Sequence, residues 1–156
     1  MINYILANKP VLVGLHLGFA ILGIDALLWL AGEVLANSAN RKRIKIASYL
    51  AIFGFVASWV VGGYYYVTYY GKLVKPEILK GTAPWAHAVA MEAKEHIFLL
   101  LVPMVCLILC SAMLSREDLN KLELKKPLLI LIFVVAGAAL SLGLMGYIIS
   151  AAARWG

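Results

Sequence analysis

The sequence predicts an all-α integral membrane protein, a four-helix bundle with both termini on the outer side of the membrane. The composition is 63% hydrophobic and only 14% charged, with a mean hydropathy of +0.90. Soluble domains average about 45–50% apolar and about 25% charged residues. Four predominantly apolar runs are each long enough to cross a bilayer core of about 30 Å. Their lack of alternating polarity argues against a β-barrel, and isolated strands would leave backbone groups unsatisfied in lipid.

The predicted spans cover residues 10–35, 44–70, 85–114 and 128–152 of a single transmembrane domain, 1–156. No linker or internal repeat divides the chain, so we treat it as one unit. The first run is too long for the apolar core of a signal peptide, and it lacks the basic leader and the small-residue cleavage site. We therefore expect the first span to be retained.

The lysines and arginines near the span ends predict the orientation. The loops "NSANRKRIK" and "SREDLNKLELKK" carry four such residues each, whereas five are spread over the termini and the connection "GKLVKPEILKGTAP". By the positive-inside rule this connection and both termini face outward, in a bacterial or archaeal cytoplasmic membrane. We expect the connection to be an interfacial loop with a short amphipathic turn around Glu77 to Lys80. The net charge of +6 suits anionic lipid headgroups and indicates no role with nucleic acid.

Small residues at helical spacing favour close helix contacts in lipid. They are Gly14 and Gly18 in the first span, Gly54, Ser58 and Gly62 in the second, and Gly137, Ser141, Gly146 and Ser150 in the fourth. Most tryptophans and tyrosines lie near the predicted span ends, as in the aromatic belts of membrane proteins. Both patterns indicate a compact bundle in contact with a lipid bilayer.

Ionisable residues inside the spans are the candidate functional residues. A charge at a helix centre costs at least about 2.5–3.5 kcal/mol, so each such residue needs a partner or a role. All three histidines of the chain belong to this set. Its members are His16, Asp25, His87, Glu92, Lys94, Glu95 and His96.

Helical phase predicts which of these residues share a face. At about 100° per residue, His87 and His96 point in opposite directions, so they do not ligate one compact metal ion. Glu92 and His96 share a face, and we predict that this face lines the bundle interior while His87 faces another environment. In the first span His16 shares its stripe with small residues, and the opposite side carries Asp25. The His16 stripe includes Ala20, Gly23 and Leu27, and the Asp25 side includes Gly14 and Gly18.

One histidine on each of two helices suggests axial ligation of a haem by His16 and His96 in the bundle core. With "GLHLGFAILG" around His16 and "MEAKEHIFLLL" around His96, the chain resembles the small four-helix membrane b-type cytochromes. The resemblance implies one haem b on the outer side and electron transfer between a quinol pool and a partner redox protein, as a subunit rather than a stand-alone enzyme. It departs from the two-haem pattern, because His87 and His96 are nine positions apart and opposed. The further residues expected at the cofactor are His87, Glu92, Lys72 and Tyr66.

Three other functions stay open on the sequence alone. A non-haem metal site would use His16, Glu92 and His96, a set of two imidazoles and one carboxylate that suits iron or zinc. A transporter or proton relay would use Asp25, Glu92, Glu95 and His96 as a polar path. A cofactor-free accessory subunit would use its polar residues to bind neighbouring membrane subunits.

Overall fold

The computed structural model describes residues 2–155, and helices joined by short turns make up this stretch. The α-helices are α1 (Ile2–Ala7), α2 (Lys9–Leu35), α3 (Arg41–Tyr65), α4 (Lys75–Lys80), α5 (Glu92–Ala112), α6 (Arg116–Lys121) and α7 (Lys125–Trp155). Two π-helical segments, π1 (Tyr66–Val74) and π2 (Ala86–Met91), continue α3 and precede α5. Residues 2–155 contain no strand.

Four helical segments are long and apolar enough to cross a membrane, which confirms the predicted all-helical class. They are Lys9–Leu35, Arg41–Lys80, Ala86–Ala112 and Lys125–Trp155. The second segment differs from its prediction, because the helix continues past residue 70 through π1 and α4. The expected interfacial loop is therefore mostly helical. Pro76 does not stop it: this proline lies in the first turn of α4, directly after π1.

Polar side chains cap the helix starts on both sides of the bundle. Asn8 accepts a hydrogen bond from the Val11 N–H group at 3.3 Å, and Asn40 accepts one from the Arg43 N–H group at 3.2 Å. These bonds satisfy backbone donors that have no partner inside the helix. The loops between the long helices therefore begin and end at defined residues.

Two helices end with a residue in the left-handed conformation. Asn37 follows α2 with a φ of 49°, and Glu123 follows α6 with a φ of 55°. After α2, the Ser38 N–H group donates to the Glu33 carbonyl at 2.9 Å, which is the longer bond of a Schellman motif. Asparagine tolerates this conformation, whereas glutamate adopts it at a cost.

The four long segments form a square in which α2 and α5 lie on one diagonal. α2 packs on α3 and α7, and α5 packs on the same two helices. The main core includes the fully buried side chains of Leu27, Leu30 and Phe55. Chain direction places residues 8, 81–85 and 155 at one end of the bundle, here called the termini end. Residues 36–40 and 113–124 lie at the opposite end, here called the basic end.

The closest helix contact joins α2 to α3 through glycine. A Cβ atom added at Gly54 would lie 2.6 Å from the backbone nitrogen of Gly23. The predicted role of small residues is therefore confirmed for the second span. Gly14 and Gly18 differ, because a Cβ atom at either position meets no atom of the described chain within 4 Å.

Candidate functional site

His16 is fixed between α2 and α3. Its Nδ1 atom lies 2.8 Å from the Ser58 carbonyl oxygen and 3.0 Å from the Ser58 hydroxyl, which itself donates to the His16 carbonyl at 2.9 Å. A Cβ atom at Gly62 would lie 2.5 Å from Nδ1, so the absence of a side chain at Gly62 makes room for the imidazole. A carbonyl oxygen only accepts hydrogen bonds, so Nδ1 carries the proton and Nε2 of the neutral ring keeps its lone pair.

Lys94 brings a positive charge to the same level of the bundle. Its Nζ atom lies 3.2 Å from the position that a Cβ atom on Gly146 of α7 would occupy. The side chain is partly buried, and the ammonium lies close enough to His16 for the two to interact electrostatically. The ion pair between Arg43 and Glu33 is the only one within residues 2–155, so no carboxylate of that stretch lies within 4 Å of Lys94. The ammonium therefore forms no ion pair within the described residues.

Glu95 adds a partly buried carboxylate to this part of the bundle. Its Oε1 atom is buried without a hydrogen bond, although the Tyr66 hydroxyl lies beside the carboxylate. Buried oxygens of this kind are uncommon in folded proteins and usually mark the position of a water, an ion or a ligand. We call His16, Ser58, Lys94, Glu95 and Tyr66 the polar layer. It lies in the half of the bundle nearer the termini end.

A buried pair formed by His87 and Tyr70 lies beyond the polar layer, at the termini end. The Tyr70 hydroxyl lies 3.0 Å from Nδ1 of His87, and only 7% of His87 is exposed. π1 carries the tyrosine and π2 carries the histidine, within a small core that also contains Ile78. The Tyr70 ring also stacks on Tyr66 of the polar layer with centroids 5.3 Å apart, and π-helical turns occur often at functional sites.

The predicted facing of the third span is wrong. Glu92 and His96 are exposed on the outside of the bundle, whereas His87 is buried and Lys94 is partly buried. His87 and His96 lie on opposite faces, as helical phase predicts, but the expected cost of a carboxylate in lipid selects the wrong face as the inward one. The half of α5 nearer the basic end shows which face is inward. Its buried residues Leu101 and Ile108 continue a spacing of seven that begins with His87 and Lys94.

The structure does not bring His16 and His96 together within one chain. His96 is exposed, and its Nδ1 atom lies 2.7 Å from the Glu92 carbonyl oxygen of its own helix. His16 packs on α3 and His96 faces outward, so the two predicted axial ligands do not face one another, and haem binding itself stays a prediction. No group of three or more histidine, cysteine or acidic side chains among the described residues is placed to hold a metal ion, so the set of His16, Glu92 and His96 is not assembled either.

The other predicted cofactor contacts have separate positions. Lys72 is exposed on π1 at the termini end, and Tyr66, at the first position of π1, belongs to the polar layer. His87 pairs with Tyr70, and exposed Glu92 lies one turn from His96 on α5. The predicted residues therefore divide between the interior and the surface.

The division of the first span into two faces is confirmed. Gly23 and Leu27 are buried on the His16 side, while Asp25 is exposed together with Gly14 and Gly18. An acidic side chain therefore lies on the outer surface of α2, far from both ends of this helix. It belongs to no ion pair of the described chain.

Comparison with protein-family models, with curated proteins and with solved structures finds no significant match to this chain.

Proposed function

We propose that this chain is an integral membrane protein that works as a subunit of a larger membrane complex. We place it in the cytoplasmic membrane of a bacterium or archaeon, with both termini outside. The four apolar helices support insertion. The eight lysines and arginines of the two loops at the basic end support the orientation through the positive-inside rule.

The observation that carries this proposal is the exposed carboxylate of Asp25. Asp25 lies ten residues before the end of α2 and sixteen after its start, which corresponds to about 15 Å and about 24 Å. A charge at that depth costs at least about 2.5–3.5 kcal/mol when it faces lipid. Another protein that covers Asp25 would remove this cost, so we expect a partner on this face.

The chemistry of the face indicates what the partner presents. Gly14 and Gly18 allow a neighbouring helix to approach α2 closely, as small residues do in membrane helix pairs. The partner is a transmembrane helix of a different protein, with a basic or hydrogen-bond-donating side chain at the level of Asp25. A second copy would place two carboxylates opposite each other, because the only cation of α2 is Lys9 at its start.

Purification from native membranes in a mild detergent tests this proposal. The wild-type chain should migrate in a complex larger than its own mass of 17.0 kDa plus detergent, with a co-purifying membrane protein. Asp25→Leu should lose that partner. Leu140→Ala is the matched control, since Leu140 is 61% exposed on α7 and lies on a different helix. A wild-type chain that purifies alone, or equal partner loss in both variants, would contradict the proposal.

A second candidate function is haem-linked electron transfer between a quinol pool and a partner redox protein. The observation that favours it is the state of the two predicted ligands, His16 and His96. Both donate from Nδ1 to a backbone carbonyl, which leaves Nε2 available, and metal-ligating histidines are commonly oriented in this way. Because His96 faces outward, its ligation would join this chain to a partner subunit. Bound haem would supply one-electron chemistry.

The optical spectrum of native membranes that contain the overproduced chain tests the second candidate. We expect a low-spin b-type spectrum that sharpens on reduction, and we expect His96→Ala to remove it or convert it to high spin. Glu92→Ala is the control, because Glu92 is exposed on the same helix one turn away. A spectrum that is unchanged by His96→Ala, or the absence of haem from the intact complex, would eliminate this candidate.

A further inference from the structure

A pocket of about 210 Å³ opens at the basic end, where α2 ends and α3, α6 and α7 begin. Three cationic side chains line it, Arg41, Arg116 and Lys125. Its deeper wall is apolar and includes Val34 and Ile44. A pocket with a cationic rim and an apolar wall at the end of membrane-spanning helices lies at the depth of lipid headgroups.

Two of the three cations that line this pocket donate hydrogen bonds to acceptors of the chain itself. Arg41 donates to the Met113 and Leu114 carbonyls at the end of α5, and Lys125 donates to Oδ1 of Asn37 at 2.8 Å. The single carboxylate of the lining belongs to Glu33, which pairs with Arg43 outside the pocket at 2.7 Å. The pocket therefore has no free anion of its own to balance its cations.

Several donors remain available. Arg116 lies exposed in the first turn of the short helix α6, and it belongs to no ion pair of the chain described here. Each guanidinium carries five N–H donors and the ammonium carries three, so the two bonds made by Arg41 leave donors unused. Asn120 adds a further amide to the lining. An anionic oxygen cluster is the complement of this rim.

We propose that this pocket binds the phosphate of an anionic phospholipid from the leaflet at the basic end. Arginine side chains bind phosphate oxygens through paired N–H donors. The apolar wall of Val34, Ile44 and Leu119 would contact the glycerol and the first acyl carbons. Inorganic phosphate has no apolar part to fill that wall, so the lipid is the source that we assign. This site is independent of the partner face of α2.

Native mass spectrometry of the purified full chain in a neutral detergent tests the site, with phosphatidylglycerol and phosphatidylcholine as probes. Arg116→Gln should weaken phosphatidylglycerol binding roughly ten-fold, the effect of losing one charge-assisted hydrogen bond. Lys126→Gln is the matched control, because it removes the same charge from an exposed residue at the same end that does not line the pocket. The control should bind the lipid nearly as well as the wild type.

Equal weakening in the two variants would show diffuse surface electrostatics and overturn the proposal. It would also be overturned if phosphatidylcholine bound as tightly, or if inorganic phosphate at equal concentration displaced the lipid. Asn120→Ala provides a second variant, from a neutral member of the lining, and should weaken binding without changing the net charge. Unchanged binding in both pocket variants, with melting temperatures equal to that of the wild type, would also refute the site.

Discussion

Replacement of Gly54 by alanine tests the closest contact of the bundle, between α2 and α3. The added methyl group would lie 2.6 Å from the Gly23 nitrogen, 2.8 Å from the Gly23 Cα atom and 2.8 Å from the Phe19 carbonyl oxygen. All three are backbone atoms. They cannot rotate away as a flexible side chain would, so the two helices must separate.

The magnitude follows from the separation that is needed. Ordinary van der Waals contact for this methyl group begins at 3.4 Å, so the helices must move apart by roughly 0.8 Å at the contact. Overpacking of this kind typically costs about 1–3 kcal/mol, and separation also loosens the packing around buried Phe55. Alanine favours the helix over glycine by about 1 kcal/mol, which offsets part of the loss. We expect a net destabilisation of up to about 2 kcal/mol.

Gly63→Ala on the same helix is the control, because its Cβ atom meets nothing within 4 Å. It should keep only the gain in helix propensity and therefore change stability in the opposite direction. Reversible unfolding in mixed detergent micelles, followed by circular dichroism, measures both variants. Equal effects of the two substitutions would refute the close contact between α2 and α3.

Three further tests use the same unfolding assay, the first with a matched control substitution. Ser58→Ala removes a buried hydroxyl that bonds to His16 and should cost about 1–2 kcal/mol, whereas Ser48→Ala removes a buried hydroxyl without a partner and should be neutral or stabilising. Glu123→Gly relieves a left-handed backbone and should stabilise the chain by up to about 1 kcal/mol, and a loss of stability would argue against the turn after α6. Tyr70→Phe leaves Nδ1 of buried His87 without its partner and should cost about 1–3 kcal/mol, so an unchanged melting curve would argue against that hydrogen bond.

The fold class was predictable because the membrane constraint acts on long stretches of chain. A run of about twenty apolar residues has few structural alternatives in lipid, so the four long helices followed from composition. The faces of α2 were also predictable. This helix is continuous from Lys9 to Leu35, and a constant rotation per residue therefore places His16 and Asp25 on opposite sides.

The inward face of the third span was harder to predict, because two energetic contributions favoured opposite faces. The cost of exposing Glu92 favoured one inward face, whereas the apolar stripe through Leu101 and Ile108 favours the other. The stripe decides the orientation, since it packs against α3 and α7 along the length of α5. The continuation of the second span through π1 was missed because π-helical turns have no clear sequence pattern. The polar layer joins residues from α2, α3, π1 and α5. Its prediction therefore requires both the orientation of α5 and the continuation of the second span through π1.

Photo-crosslinking from position 21 in native membranes tests most directly the claim that another protein covers the outer face of α2. Ile21 is 48% exposed and lies between Gly18 and Asp25 on that face, so a photoreactive residue there should form an adduct with a different membrane protein. The same residue at position 140, on an exposed part of α7, should not form that adduct. An adduct with lipid alone at position 21, or only with a second copy of this chain, would contradict the claim.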